Sequence, residues 1–508
     1  MGERITVVGG TDSTIAVTLD GTQALKLAKQ FSQELQNYYS VDQLNFLDVT
    51  ADGAAPVEHK IGYGVITQGG AAYSAGNGYD YIVVGGKNAQ SPKMGMTATE
   101  INNLSLLNGP VTINSVMNSS QFVRVLSGNI QSFTYNAGQE SGQLAAGAEN
   151  SNVVFNGNTV NGGNWDIAVG TGNNTIVAGS GNNNISIGNQ ALTGQGQSSI
   201  DLTAGKINNV TSYGQDTITA SNDSTAQNRV SLFGGLSEDI HSTVNLNEGA
   251  AVNDFSFYNV VTVGGGSTIQ GGTYGNYTFN GSNDSNAGQL NGGQSSSITA
   301  TGDLQVVQGD SNTINASRSL SFFNGVGNTE ATAQGQFVGF GAGGLNYTLN
   351  ASGNDSGLFV ADVGNETLNA SGSTSALQIY ANTVVGGSSD FVASGGSGND
   401  TLVAGTGNAT FSGGAGDNLF MFNKAITDNG NTVITDFSKN GNGDKIGLYN
   451  YGLDNDSIAN LLKTSENDAK GNAVLKLDGH TITIEGVSVS DLTVNQFDVA
   501  NPNGVVKS

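Results

Sequence analysis

Residues 395–421 read GGSGNDTLVAGTGNATFSGGAGDNLFM, three nine-residue units without a gap, starting at Gly395, Ala404 and Gly413. A looser unit, GGSSDFVAS, precedes them at Gly386. Each unit runs from small turn-forming residues into a short β-forming segment, with Leu402, Phe411 and Phe420 at the same apolar position. Glycine tolerates the left-handed backbone of tight turns, and a strand this short presents a single side chain to a core. Such units are stable only when stacked, so the stretch predicts a β-roll.

The rest of the chain keeps the same rhythm more loosely. It has 508 residues, of which 76 are Gly, 4 Pro and none Cys, and its formal net charge is -24. Short β-forming runs such as YDYIVVGG from Tyr79, RVLSG from Arg124 and NVVFNG from Asn152 are each cut off by Gly or Asn. A phrase of Ile or Leu, one residue, Ala and a small turn residue begins at Ile176, Ile218, Ile298, Ile314, Leu349, Leu368 and Leu402. The last five are spaced at one or two times roughly 17 to 18 residues, the length of one solenoid coil. With about 4.8 Å between stacked strands, roughly fifteen to twenty coils would build a rod on the order of 70 to 95 Å long. A β-sandwich, or several small β-domains sharing these words by compositional bias, is the alternative.

Residues 21–38, GTQALKLAKQFSQELQNY, place Leu25, Ala28, Phe31 and Leu35 at helical spacing and read as one amphipathic helix. A second helix is expected near Ser457 to Thr464. The chain therefore reads as all-β, a β-solenoid with a small N-terminal α/β cap and a C-terminal β-roll with its own capping segment. Boundaries are placed at 1–60 for the cap, 61–385 for the solenoid, 386–422 for the roll and 423–508 for the C-terminal segment.

The GGxGxDxUx register resembles the calcium-binding nonapeptide of the repeats-in-toxin (RTX) family. After it, Ile434, Asp436, Phe437, Gly443, Asp444, Lys445 and Ile446 resemble the I-x-D-F…G-D-K-I phrase of the segment that follows the roll in that family. Calcium takes six to eight hard oxygen ligands, and the resemblance implies that turn carbonyls and the sixth-position acid supply them. Consecutive units then lie on opposite sides of the roll, and an ion is shared by the turns of alternate units. The implied metal residues are Asp390 with Asn408, Gly405 and Gly407 on one side. On the other they are Gly396, Gly398 and Asp400 with Gly414, Gly416, Asp417 and Asn418. Only Asp400 holds the family's acid in the sixth position, since Ala409 and Asn418 depart from it, so one or two ions are expected. For Asp436 and Asp444, metal ligation and a hydrogen-bonded loop both stay open. A weaker array, VGTGNNTIVAGSGNNNIS from Val169, has Asn174 and Asn183 in place of the acids, and an asparagine ladder without metal is the expectation there.

The resemblance also implies export. No basic segment followed by an apolar run occurs near Met1, and the C-terminal region is the address read by type I secretion machinery in that family. A secreted protein, extracellular or at the surface of a bacterium, is expected. Between Lys93 and Lys424 the strong bases are Arg124, Lys206, Arg229 and Arg318, too few and too scattered for nucleic acid. No apolar span is long enough for membrane insertion. HExxH and G-x-S-x-G are absent, which removes the zinc proteases and lipases of the family. A β-helical polysaccharide lyase or epimerase is the enzyme class hardest to dismiss, but little along the chain would neutralise an acidic sugar, and no catalytic residue is assigned. The composition resembles calcium-dependent surface-layer and biofilm matrix proteins. Self-assembly into a homopolymer is the leading expectation, and an adhesin for cell-surface polysaccharide the second.

Overall fold

The computed structural model describes residues 2–9, 13–50, 55–87, 107–128, 130–149, 151–220, 225–281, 287–362, 364–382, 390–427, 429–438 and 443–500. Residues 386–389 of the looser unit and 501–508 of the C-terminal segment lie outside them. The chain is a β-solenoid of stacked parallel coils, about 17 turns in all. It forms two compact units, Met1–Asn276 and Tyr277–Ser508.

Within each unit a coil contributes two strands, and each strand pairs in parallel with the next but one. Trp165–Val169 pairs with Asn182–Ile187, while Thr175–Val177, between them in sequence, pairs with Ser199–Asp201 on the other ladder. Side chains alternate across each strand, so the two ladders face one another and share a thin core. In the first unit one ladder directs Leu144, Ile167, Ile185, Val210 and Val230 inward in a single column, and the other directs Tyr135, Phe155, Ile176, Ile200 and Ile218. All ten are buried.

Coil length varies more than the phrase spacing suggests. Ile298 pairs with Ile314 across a short coil, whereas Ile218 pairs with Val244 across a much longer one. The ladder needs constant strand register but not constant turn length, so surplus residues are absorbed in the turns. Ile298, Ile314 and Leu349 do share one column, through Ala331. Leu368 instead pairs with Tyr347, and Leu402 lies on the opposite ladder against Ile379. That last recurrence of the phrase is a coincidence of words. The nonapeptide stretch is strict: Asp390 pairs with Asn408 and Thr401 with Leu419, each partner two units further along and the two pairs on opposite ladders. Leu402, Phe411 and Phe420 are fully buried.

After the roll, Asn431–Ile434 and Lys445–Tyr449 add a rung to each ladder, and His480–Ile484 and Phe497–Ala500 add another. An antiparallel hairpin of Ala473–Leu477 with His480–Ile484 and a helix, Asn455–Thr464, complete this end. Asp454 caps the helix by accepting the Ser457 N–H at 2.9 Å.

At the other end, the hairpin Glu3–Val8 and Thr14–Leu19 leads into helix α1, Thr22–Ser40. Its buried face is Ala24, Leu27, Ala28, Phe31 and Leu35, with Leu25 only partly covered. The helix lies along the flank of the coils, over the outward row Val83, Leu126, Ala145 and Ala168, which is buried under it. Where the helix stops, the same row continues as Ser186, Thr211 and Ser231. The first parallel rung is Leu44–Leu47 against Ile61–Ile66.

One residue ties this layer to the stack. Asp20, fully buried, accepts the Thr171 N–H at 2.8 Å, the Thr171 hydroxyl at 2.6 Å and the Glu149 N–H at 2.6 Å. Asp20→Ala is expected to lower unfolding stability by about 2–4 kcal/mol, because buried donors left without an acceptor cost about 1–3 kcal/mol each. Asp20→Asn, which keeps one acceptor oxygen, should cost less. Urea denaturation followed by circular dichroism measures both.

Candidate metal centre

The turns singled out by the nonapeptides are built by close approach of one coil to the next. A Cβ on Gly396, Gly398, Gly405, Gly414 or Gly416 would collide with a backbone oxygen of a neighbouring coil. Gly407 takes φ of 95°, a left-handed conformation open to glycine.

The structure brings the expected turns together in pairs. On one side Asp400 N–H donates to Asn418 Oδ1 at 2.9 Å, and Asp417 N–H donates to Asn399 Oδ1 at 2.9 Å. Opposite them, the exposed Asn408 amide donates to Asp390 Oδ1 at 2.9 Å. Asp436 and Asp444 reach back from the following segment. Asp436 accepts Ser412 Oγ at 2.6 Å and the N–H groups of Gly413 and Gly414 at 2.9 and 2.8 Å. Asp444 accepts Asn418 N–H at 3.0 Å and Ser438 N–H at 2.9 Å.

These contacts belong to a longer pattern. Leu377 N–H donates to Asp400 Oδ1 at 2.8 Å, Asp400 N–H to Asn418, and Asn418 N–H to Asp444, each link passing to the next coil. The first unit has the same column. Val153 N–H donates to Asn174, Asn174 N–H to Ser198, Ser198 N–H to Asp216, Asp216 N–H to Ser242 and Ser242 N–H to Asn259, at 2.8–3.3 Å. At these corners the N–H of the residue before the strand, or of Val153 and Leu377 at the start of theirs, is satisfied by a side chain one coil further on, where an unpaired buried N–H would be costly. Each side chain is itself buried.

Asp216, in the segment YGQD from Tyr213, is a member of this column. The signal that finds the column is a small polar residue directly before a short strand: Asn174 before TIV, Ser198 before SID, Asp216 before TIT, Asp400 before TLV. In the asparagine-substituted array, Asn174 closes its turn by donating to the carbonyls of Gly170 and Gly172 at 3.1 and 2.9 Å. Asn183 begins a buried amide ladder through Asn208 and Asn228 to Asn247. The ladder expected there is present.

The fit to calcium turns on Asp400. A Cβ on Gly395 would collide with both Asp400 Oδ2 and the Gly413 carbonyl, so two hard oxygens converge at that glycine. The donor set is all oxygen, as calcium requires, but it holds one carboxylate. Asp400 Oδ2 also accepts the Gly396 N–H at 2.9 Å, so the turn closes by itself and an ion would share that oxygen. Among the described residues no three His, Cys, Asp or Glu side chains gather where they could hold a metal. Burial pushes the Asp400 carboxyl up to about 6, against the N–H bonds of Leu377 and Gly396 that pull it down. Burial does the same to Asp216, also to about 6.

The histidines stand apart. His59 is exposed beside Glu58, and His241 Nδ1 lies 2.7 Å from the Glu238 carbonyl in a loop. His480 is a buried strand residue, with Nε2 3.0 Å from Thr432 Oγ1 and its ring against Phe422. It is covered because the strand that carries it joins the ladder beside Asn431–Ile434.

No protein-family model matches this chain, and no curated protein is significantly similar to it.

Because Asp216 and Asp400 titrate near 6 when folded and near 4 when unfolded, the fold binds their protons more tightly. Their stabilisation is complete below about pH 4 and is lost as pH rises through about 6. Asp216→Asn should therefore melt above the wild type at about pH 7.5, with the difference closing towards about pH 4. Thermal melts in chelator, read by circular dichroism, check this.

Proposed function

We propose that this chain is an extracellular structural protein of a bacterium that self-assembles into a homopolymer with calcium, after export by type I secretion machinery. The observation that carries the reading is the outer surface of the coils. It carries ladders of neutral amide side chains between its charged groups. Asn156 donates to Asn136, and Asn136 to Asn114, at 2.7 Å each along one outward, half-exposed row. Exposed apolar side chains, among them Val116, Val160, Phe255 and Tyr274, stand out from such polar surroundings. Neutral, regular β-surfaces allow copies to approach and pair.

Calcium supplies the switch in this reading. A formal charge of -24 makes copies repel one another, and a divalent cation offsets that repulsion. At the roll, Asp400 Oδ2 and the Gly413 carbonyl would hold an ion together with further carbonyls and water. An ion that binds only the folded coils stabilises them, so low calcium inside the cell leaves the roll easier to unfold for export and high calcium outside stabilises it. The resemblance of residues 386–446 to the RTX family supports the export route. No catalytic step, nucleic-acid contact or membrane insertion is part of the reading. Among the described residues no helix is long and apolar enough to cross a membrane.

Light scattering and electron microscopy during addition of millimolar calcium, then chelator, test it. Ordered polymers that form and disperse are expected, and folded monomers at every calcium concentration would sink the proposal. Asp400→Asn should raise the calcium needed for half-maximal assembly several-fold, since it removes the one sixth-position acid.

A further inference from the structure

The flank of the first unit changes character where helix α1 ends. Up to Ala168 the outward row is covered by the helix, and from Ser186 onward it is bare. The step forms a cleft of about 380 Å³, walled by Thr22, Gln23 and Leu27 of the helix and floored by the strands around Asp166, Asn184 and Asn209.

Three parallel rows run along the coils from this cleft. The first is a hydrogen-bonded polar row: Gln143 and Asn184 donate to Asp166 at 3.2 and 2.8 Å, and Asn209 donates to Asn184 at 2.9 Å. Beside it run the hydroxyls of Ser186, Thr211 and Ser231. Next come aromatic rings stacked coil on coil: Tyr213 on Phe233 at 5.1 Å between centroids, and Phe233 on Phe255 at 5.0 Å. The register that sets Tyr213 beside Phe233 sets Gly188 on its other side. Gly188 has no side chain, so the aromatic stack ends at Tyr213, which lines the cleft.

We infer that this cleft and the face beyond it bind a neutral, extended saccharide chain. A sugar ring has an apolar C–H face and an edge of hydroxyls that donate and accept. The first matches the open end of an aromatic stack, and the second matches a row of amide, carboxylate and hydroxyl groups. The volume is within the range of small-ligand sites. Asp166 on the floor disfavours an acidic sugar, because like charges in one site repel. The straight ladder face favours an extended chain over a compact one.

This site goes beyond the assembly reading and does not rest on it. The test is titration calorimetry on the full chain, taken from the monomer peak of a gel-filtration column, with cellohexaose as a flat neutral probe. Saturable binding is expected, weakened at least tenfold by Tyr213→Ala and several-fold by Asn184→Ala, with Tyr213→Phe retaining it. Both positions reach the surface, and unchanged melting curves would show that the variants fold. Absence of saturable heat, binding untouched by Tyr213→Ala, or preference for an oligogalacturonate would each overturn the inference. Failure to polymerise with calcium would leave it standing.

Discussion

Each coil of this molecule ends in a corner where the strand ladder cannot reach, and the N–H of the residue before the next strand has to find an acceptor elsewhere. The structure answers with a side chain from the following coil: Asn174, Ser198, Asp216, Ser242 and Asn259 in one unit, Asp400, Asn418 and Asp444 in the other. Because a buried donor without a partner is expensive, this requirement fixes the stacking of coils whose lengths differ widely. It also explains why acids, amides and hydroxyls are interchangeable at these corners. What the position needs is an oxygen.

The same requirement places the nonapeptide turns in a different light. Asp400 has the geometry of a turn-closing acceptor, shared with Asp216 far from the roll. Its raised titration follows from burial beside backbone donors rather than from other carboxylates. A calcium ion at that turn would build on a corner that already holds its shape, and one carboxylate per site would make it weak.

At the N-terminal end helix α1 of the cap flanks the stack. Helix α1 covers four outward residues, and Asp20 anchors the crossover into it through bonds to Glu149 and Thr171. The outward row is apolar only where the helix lies on it. The end of that cover creates the cleft, so the anchor and the concave surface are consequences of one packing arrangement.

Local periodicity made much of this legible. The strict two-nonapeptide coil of residues 390–423, the buried slots at Leu402, Phe411 and Phe420, the two helices and the asparagine ladder follow from spacing and side-chain chemistry alone. Other features depend on which residues the turns bring together. Leu368 and Leu402 carry the same words on opposite ladders because turn length sets which ladder a strand joins. His480 is buried only because its strand joins the ladder beside Asn431–Ile434, and Ala145 and Ala168 only because a distant helix lies across them. By itself the sequence determined the repeating coil, since alternation and glycine turns are properties of neighbours along the chain. The tertiary structure decided the corner columns, the flanking helix and the cleft, since hydrogen-bond satisfaction and burial there join residues far apart in the chain, as Asp20 with Thr171 and with Asn189 at the helix crossover.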